Sequence, residues 1–483
     1  MLALSRLARG VAETITRENF TISRLTSGLR VITCEDGNGI TGMGLFSLNG
    51  PKFEEEGSFG AAAVMESLPL RSNTKMTTEM ISQSLGVFGN AYKVTNNREA
   101  MSVMLMMPRY HQREGLDVLN GMWLHPTENE EEFAVAKAQT LHRSSLISRD
   151  ATSMLFELVH KAGWNGRGLG NPLSPTEQQL EQLTLEKFHA FHRRHTTPER
   201  TVLAATGVSD HQAFVQEAEM RLQFPQPTAP SNLSSSVEEA TGAASGTAQL
   251  HPYTGGCEYV QNTTAPESMN KFQEKNLSHM ALFFKAIPMA HPDYFTFSVI
   301  QTLLGGGTSF SSGGPGKGMQ TKLFREVLNR EPNLHGMECI TAWYSDGGLI
   351  GLYGSAPHEH VNNLLKIMMF QAASISQRIT PAHLEMAKNQ LSSQLILLGE
   401  GREQLLNDMG FNLLVHNYTI TPQETIQGSA QVTLKRLHEV CAQLIEHPVT
   451  FAVYGETKGM PEYNQLVEAL KRSYASLNKN TPV

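Results

Sequence analysis

Apolar positions along this chain follow two rhythms. Short, nearly unbroken runs at Leu29 to Cys34, Met101 to Met107, Met280 to Phe284 and Gly348 to Tyr353 have the length expected of buried strands. Longer stretches, Glu130 to Ser145 and Pro381 to Leu398, space their apolar residues at helical period. The two kinds of element occur in unequal blocks without strict alternation, which predicts an α+β fold over a parallel doubly wound sheet.

One pattern occurs twice. Thr184-Leu185 with Phe188-His189, followed by the apolar run Thr201 to Gly207, returns as Thr433-Leu434 with Leu437-His438 and the run Phe451 to Gly455, an offset of about 248 residues. A period this long signals a duplicated domain, not a solenoid. Between the copies, residues 226–249 are rich in Pro, Ser, Ala, Thr and Gly and carry no apolar period, the composition of a linker. The expected organisation is therefore a first domain over 13–225, a linker over 226–250 and a second domain over 251–483.

Composition narrows the function classes. With 483 residues, 40% hydrophobic and 18% charged, the chain has the make-up of a globular protein of roughly two to four domains. No apolar run approaches the ~18 residues that span a bilayer. The formal charge of −7 argues against generic nucleic-acid binding and favours a basic ligand. The four cysteines, Cys34, Cys257, Cys339 and Cys441, are far apart with no C-x-x-C pair, which argues against a disulfide framework and suits a reducing compartment. The first twelve residues contain Arg6 and Arg9, no acid, and Leu4, Leu7 and Val11 on one helical face, as a mitochondrial transit peptide does.

The densest signal is the run Leu303 to Arg330, LLGGGTSFSSGGPGKGMQTKLFREVLNR, which puts seven glycines into one loop, 305–318, and then returns to helical spacing at Leu323, Phe324, Val327 and Leu328. Glycine allows close backbone approach and positive φ, so such a loop can offer N–H and C=O groups to an extended peptide. A phosphate loop fails on spacing: Gly316-Lys317 would need glycine at 311 and Ser or Thr at 318, where the chain has Ser311 and Gly318. The dinucleotide pattern fails as well, its third glycine falling on Phe310, Met319 or Thr321.

This string resembles the glycine-rich loop of the alpha subunits of mitochondrial processing peptidases, which reads close to GGGGSFSAGGPGKGM. Those proteins belong with the pitrilysin/insulysin type of zinc metallopeptidases and the core proteins of the cytochrome bc complex. Tyr344 to Leu349 (YSDGGL) and the stretch Leu391 to Gly410, with Glu400, Arg402 and Asp408, extend the resemblance over nearly the whole chain. It implies two homologous halves, each a mostly antiparallel sheet backed by helices, closing as a clamshell. It also implies substrate contact through Gly305, Gly306, Gly307, Ser309, Phe310, Gly313, Gly314, Pro315, Gly316, Lys317 and Gly318. Phe310 would anchor the loop, and Lys317 would face solvent or a carbonyl.

Catalytic relatives carry H-x-x-E-H on one helix, two imidazoles one turn apart completed by a distal glutamate. Neither that motif nor its inverse occurs here. Aligning Gly57 to Thr77 with the family helix places Ala63 and Ser67 at the histidine positions and Arg143 at the third ligand, and leaves Glu66 as a vestigial general base. A guanidinium ~4 Å from a dication would cost on the order of 8 kcal/mol at an effective dielectric of ~20, so no metal is expected. The histidines His192, His195, His358 and His360 have no third ligand at recognisable spacing and are expected on the surface. Asn96-Asn97 predicts a turn, and Thr127 followed by the acids Glu128 to Glu132 predicts a helix start.

The resemblance implies a non-catalytic, substrate-recognition subunit of a heterodimeric matrix peptidase. Its beta-type partner would supply zinc and hydrolysis, and its ligands would be arginine-bearing presequence peptides. The alternative is a structural core subunit among the cytochrome bc complex subunits on the matrix face of the inner membrane. One chain can serve both.

Overall fold

The computed structural model describes residues 11–17, 20–35, 39–225, 251–262, 276–308, 319–417 and 419–479. The predicted linker 226–250 and residues 1–10 of the predicted transit peptide lie outside the described residues. Among the described residues, thirteen strands form two sheets.

The first sheet contains β1 (Val11–Arg17), β2 (Phe20–Leu25), β3 (Arg30–Cys34), β4 (Ile40–Ser47), β5 (Ala91–Asn96), β6 (Met101–Pro108) and β7 (Thr201–Thr206), in the order β1-β2-β3-β7-β4-β6-β5. The second contains β8 (Gly256–Gln261), β9 (Leu277–Ala286), β10 (Gly306–Thr308), β11 (Gly336–Trp343), β12 (Gly348–Pro357) and β13 (Val449–Gly455), in the order β10-β11-β12-β9-β13-β8. Reversing the second order gives β8-β13-β9-β12-β11, which repeats β3-β7-β4-β6-β5 strand for strand. In each sheet a single neighbouring pair is parallel, β3 with β7 and β13 with β8. The remaining pairs are antiparallel.

The repeated sequence pattern has a structural counterpart. Thr184 caps the helix Leu185–His195 and Thr433 caps the helix Leu434–Glu446, each hydroxyl accepting from a backbone N–H three residues on. Each helix then leads to the later strand of its sheet's parallel pair, β7 or β13. The Asn96-Asn97 turn joins β5 to β6, with Asn97 Oδ1 accepting from the amides of Glu99 (3.0 Å) and Ala100 (2.8 Å). The helix predicted from Thr127 begins two residues later than the threonine implies. Asn129 Oδ1 accepts from Glu131 N at 2.7 Å, and the helix runs Glu130–Ile147 with three acids in its first turn.

Strands β4 and β7 are buried almost throughout, because both faces of their sheet are covered. On one face Val31, Met43, Leu45 and Leu203 pack with Phe188 and Trp123. On the other, Ile32, Phe46, Met104, Val202 and Ala204 pack with Leu406, Met409 and Leu413 of the helix Arg402–His416. Gly410 of that helix lies so close to Phe46 that a Cβ would stand 2.3 Å from the ring. The second sheet is covered in the same manner. Ala281, Phe283, Leu349 and Ala452 pack with Leu155, Leu158 and Val159 of the helix Ala151–Gly163.

These two helices cross the expected domain boundary. The compact units are 1–145 with 171–249 and 398–419, and 146–170 with 250–397 and 420–483. Each sheet therefore takes one helix from the other side of the linker.

A chain ending at residue 225 lacks the helix Arg402–His416 and uncovers Ile32, Phe46 and Val202. We expect it to bind a hydrophobic dye and to aggregate. Appending residues 398–419 through a flexible tether restores a cooperative thermal transition; equal behaviour of the two fragments in calorimetry contradicts this account.

Candidate functional site

Two places carry the sequence-predicted residues, one in each unit. The first is built on the helix Ala61–Ser67. Its N-terminus follows Gly60, at φ 89°, and is capped from outside the helix: the buried Glu54 accepts from Gly60 N (3.0 Å) and Ala62 N (2.8 Å). Burial pushes the Glu54 carboxyl up to about 8, and the two amide donors act in the opposite direction. Pro69, two residues after the helix, cannot continue it.

Ala63, Glu66 and Ser67 face the helix Glu130–Ile147, which presents Thr140 and Arg143 one turn apart. Arg143 Nη2 donates to the Ala63 carbonyl at 2.8 Å and lies 3.3 Å from Glu66 Oε2, while Nη1 donates to Ser67 Oγ at 3.3 Å. Thr140 Oγ1 is 3.0 Å from Ser67 Oγ. The fold thus brings together the four positions singled out by alignment. Their chemistry does not suit a metal: a methyl group, a shared hydroxyl, a paired carboxylate and a permanent cation. Burial raises the Glu66 carboxyl, opposed by the Arg143 guanidinium and by Asn96 at the end of β5. Among the described residues, no group of three or more His, Cys, Asp or Glu side chains has metal-binding geometry.

The second place is the root of the glycine-rich loop. The helix Tyr294–Leu304 ends at Gly305, whose φ of 56° and ψ of −128° suit glycine alone. Gly306 and Gly307 then pair with Glu338 and Met337, making β10 the edge of the second sheet. At Gly306, with φ 109°, a Cβ would lie 2.1 Å from the Met337 carbonyl oxygen. Thr321 closes the root, its Oγ1 accepting from Gly306 N at 3.3 Å, and the Gly305 carbonyl accepts from Cys339 N at 2.8 Å. Ser309, Phe310, Gly313, Gly314, Pro315, Gly316, Lys317 and Gly318 lie outside the described residues.

Beside this root opens a cavity of about 780 Å³, lined by Gly305, Gly306, Glu338, Met386, Gln390 and Leu397 among others. Met386 and Leu397 are exposed, at 45% and 66%. Glu338 is half-buried, its carboxyl raised by burial, and it makes no ion pair among the described residues. Sequence reasoning missed it. Its signal was a lone acid inside the otherwise uncharged strand β11. The helix expected after the loop is short: Leu323, Phe324, Val327 and Leu328 are all buried, and Phe324–Leu328 forms a π-helical turn.

Two histidine expectations require correction. His192 and His195 are 1% and 8% exposed, because they share the inward face of Leu185–His195 with Phe188 and Phe191, leaving Arg193 and Arg194 outside. His192 Nε2 is 3.0 Å from the Trp123 carbonyl, and His195 stacks on Phe53. Burial lowers them to about 4 and about 3. His358 is partly buried, with Nδ1 2.7 Å from Ser278 Oγ, and His360 is also partly buried.

The Arg143–Glu66 pair is about a quarter to a third exposed, which weakens it by solvent screening. A double-mutant cycle with Glu66→Gln and Arg143→Gln should return a coupling on the order of 1 kcal/mol. A coupling of zero contradicts the pairing.

Two family models match the chain: insulinase (peptidase family M16) over residues 30–177, and the peptidase M16 inactive domain over 182–391. Similar proteins include the mitochondrial-processing peptidase subunit alpha of Solanum tuberosum, 26% identical over 92% of this chain and 83% of that protein. The subunits of the same name from Bos taurus and Homo sapiens are each 26% identical over 93% of this chain and 84% of theirs. Among solved structures, a chain of complex III2 from Candida albicans with Inz-5 bound superposes with a TM-score of 0.75 at 15% identity. It covers 93% of this chain and 99% of that one. Duplicated sheet topology and both family matches agree: the chain belongs to the M16 peptidase family and resembles the alpha subunits of mitochondrial-processing peptidases.

Proposed function

We propose that this chain is the substrate-recognising, non-catalytic subunit of a heterodimeric presequence peptidase in the mitochondrial matrix. The observation that carries the reading is the cavity at the loop root. It combines backbone from a glycine-built sheet edge, the carboxylate of Glu338, which makes no ion pair among the described residues, and the apolar side chains Met386 and Leu397. An extended peptide can add main-chain hydrogen bonds at such an edge. A peptide alternating arginine with apolar residues complements both the carboxylate and the methionine and leucine. The similarity to processing-peptidase alpha subunits supports the same assignment.

Hydrolysis falls to a beta-type partner carrying zinc. With Arg143 bound to Glu66 and to the Ala63 carbonyl, this chain's own ligand positions offer a cation no place. Glu66 neutralises the guanidinium instead of deprotonating a water. The described residues include no helix long and apolar enough to cross a membrane.

The second reading, a core subunit of the cytochrome bc complex, is supported by the structural likeness to a chain of complex III2, and that likeness speaks for the fold alone. Purification of the native assembly separates the two. A zinc-bearing relative as sole partner selects the peptidase, and haem with membrane subunits selects the core protein.

Fluorescence anisotropy with an arginine-bearing amphipathic presequence peptide tests the cavity. Glu338→Gln should weaken binding about tenfold, ~1.4 kcal/mol, and leave unchanged the affinity of a peptide with citrulline in place of arginine. Equal affinity of wild type and variant for both peptides removes Glu338 from the site.

A further inference from the structure

Next to the loop root lies a second and narrower pocket of about 30 Å³. Its wall includes Thr321, Lys322, Arg325, Arg378 and His383. The basic side chains come from three segments: Lys322 and Arg325 from the turn after the glycine-rich loop, Arg378 from the loop before Pro381, and His383 from the helix Pro381–Gly399. Three cations around so small a space repel one another, and such a cluster is stable only if something of opposite charge balances it.

Among the described residues no ion pair supplies that charge, although the field of Glu326 reaches Lys322. Lys322 and Arg325 and Arg378 make no ion pair among the described residues. Lys322 is 4% exposed, and its Nζ donates to the Ser374 carbonyl (2.5 Å) and Oγ (3.2 Å). An ammonium has three N–H donors, so one remains. Arg325 Nη1 donates to His383 Nε2 at 2.9 Å, while its Nε is buried without a hydrogen-bond partner. A buried guanidinium N–H left without an acceptor costs about 1–3 kcal/mol. Arg378 holds a left-handed backbone conformation, φ 61°, unusual for a non-glycine residue.

We propose that this pocket binds a small oxyanion, a phosphoryl group or a carboxylate, between Arg325, Arg378 and Lys322. A volume of about 30 Å³ is about two water-sized probe volumes, which suits an isolated oxyanion head and excludes a nucleoside or a sugar. The free Arg325 Nε–H and the third Lys322 N–H supply charge-assisted donors, and Arg378, on the exposed side, closes the mouth. Lys322 supports the assignment: burial first, then the fields of Arg378 and Arg325, lower it to about 8, with Glu326 opposing. A bound anion reverses that trend. The oxyanion site does not require the peptide-binding reading, and its pocket shares Met386 and Gln390 with the larger cavity. Its wall nevertheless includes Thr321, which holds Gly306, so occupancy bears directly on the loop root.

The test uses the full chain and inorganic phosphate, titrated against chloride at constant ionic strength. Saturable binding of one phosphate per chain in equilibrium dialysis, with a rise in melting temperature of about 2–4 °C, is expected. Arg325→Gln and Arg378→Gln should each weaken it at least tenfold, and Arg472→Gln, on an exposed helix away from the pocket, should not. Arg378 is exposed, so its variant remains a fair test even if Arg325→Gln unfolds. Parallel titration with acetate separates the sources. Saturation by acetate as well assigns the pocket to carboxylates such as a peptide terminus, and saturation by phosphate alone assigns it to phosphoryl groups. No saturable binding of either anion, or undiminished binding in Arg378→Gln, overturns the proposal.

Discussion

A half-buried carboxylate must be neutralised, and in the first unit the group that does so is Arg143. Its guanidinium bridges the Glu66 carboxylate, the Ala63 carbonyl and the Ser67 hydroxyl, joining two helices at the positions that the sequence alignment matches to the family's zinc ligands. A dication and a guanidinium cannot share that space without a cost of several kcal/mol. The arginine therefore acts as an internal cation that ties the two helices together. On the function proposed above, a peptidase-type domain would keep its architecture in this way without an electrophile of its own.

The second unit uses the same topology for a different end. Its equivalent edge strand is extended by β10, and only a residue without a Cβ can lie where Gly306 meets the Met337 carbonyl. That close approach fixes where the glycine-rich loop leaves the sheet, and the cavity forms beside it. On the function proposed above, peptide recognition in this chain rests on the second copy of the duplicated domain.

Much of this was legible in the amino-acid sequence. The strands at 101–107 and 348–353 were visible because both sheet faces are covered, which turns each strand into an unbroken apolar run. The duplication showed because Thr184 and Thr433 cap equivalent helices. What sequence could not show was long-range. The helices Ala151–Gly163 and Arg402–His416 serve the sheet on the far side of the linker, and local apolar spacing does not say which sheet a helix will cover. His192 and His195 looked exposed because two arginines stand between them, yet an i, i+3 spacing puts them on one inward face. Glu338 and the Arg325–Arg378 cluster depend on cavities made by segments distant in sequence. No local pattern announces those.

The claim on which the rest turns is that Arg143 and Glu66 have closed the metal position. Measuring zinc by mass spectrometry on the purified single chain, after dialysis against excess zinc and removal of free metal, tests it most directly. Well below one zinc per ten chains, with no chelator-sensitive cleavage of a presequence peptide, is the result this account predicts. One zinc per chain accompanied by such cleavage would contradict it.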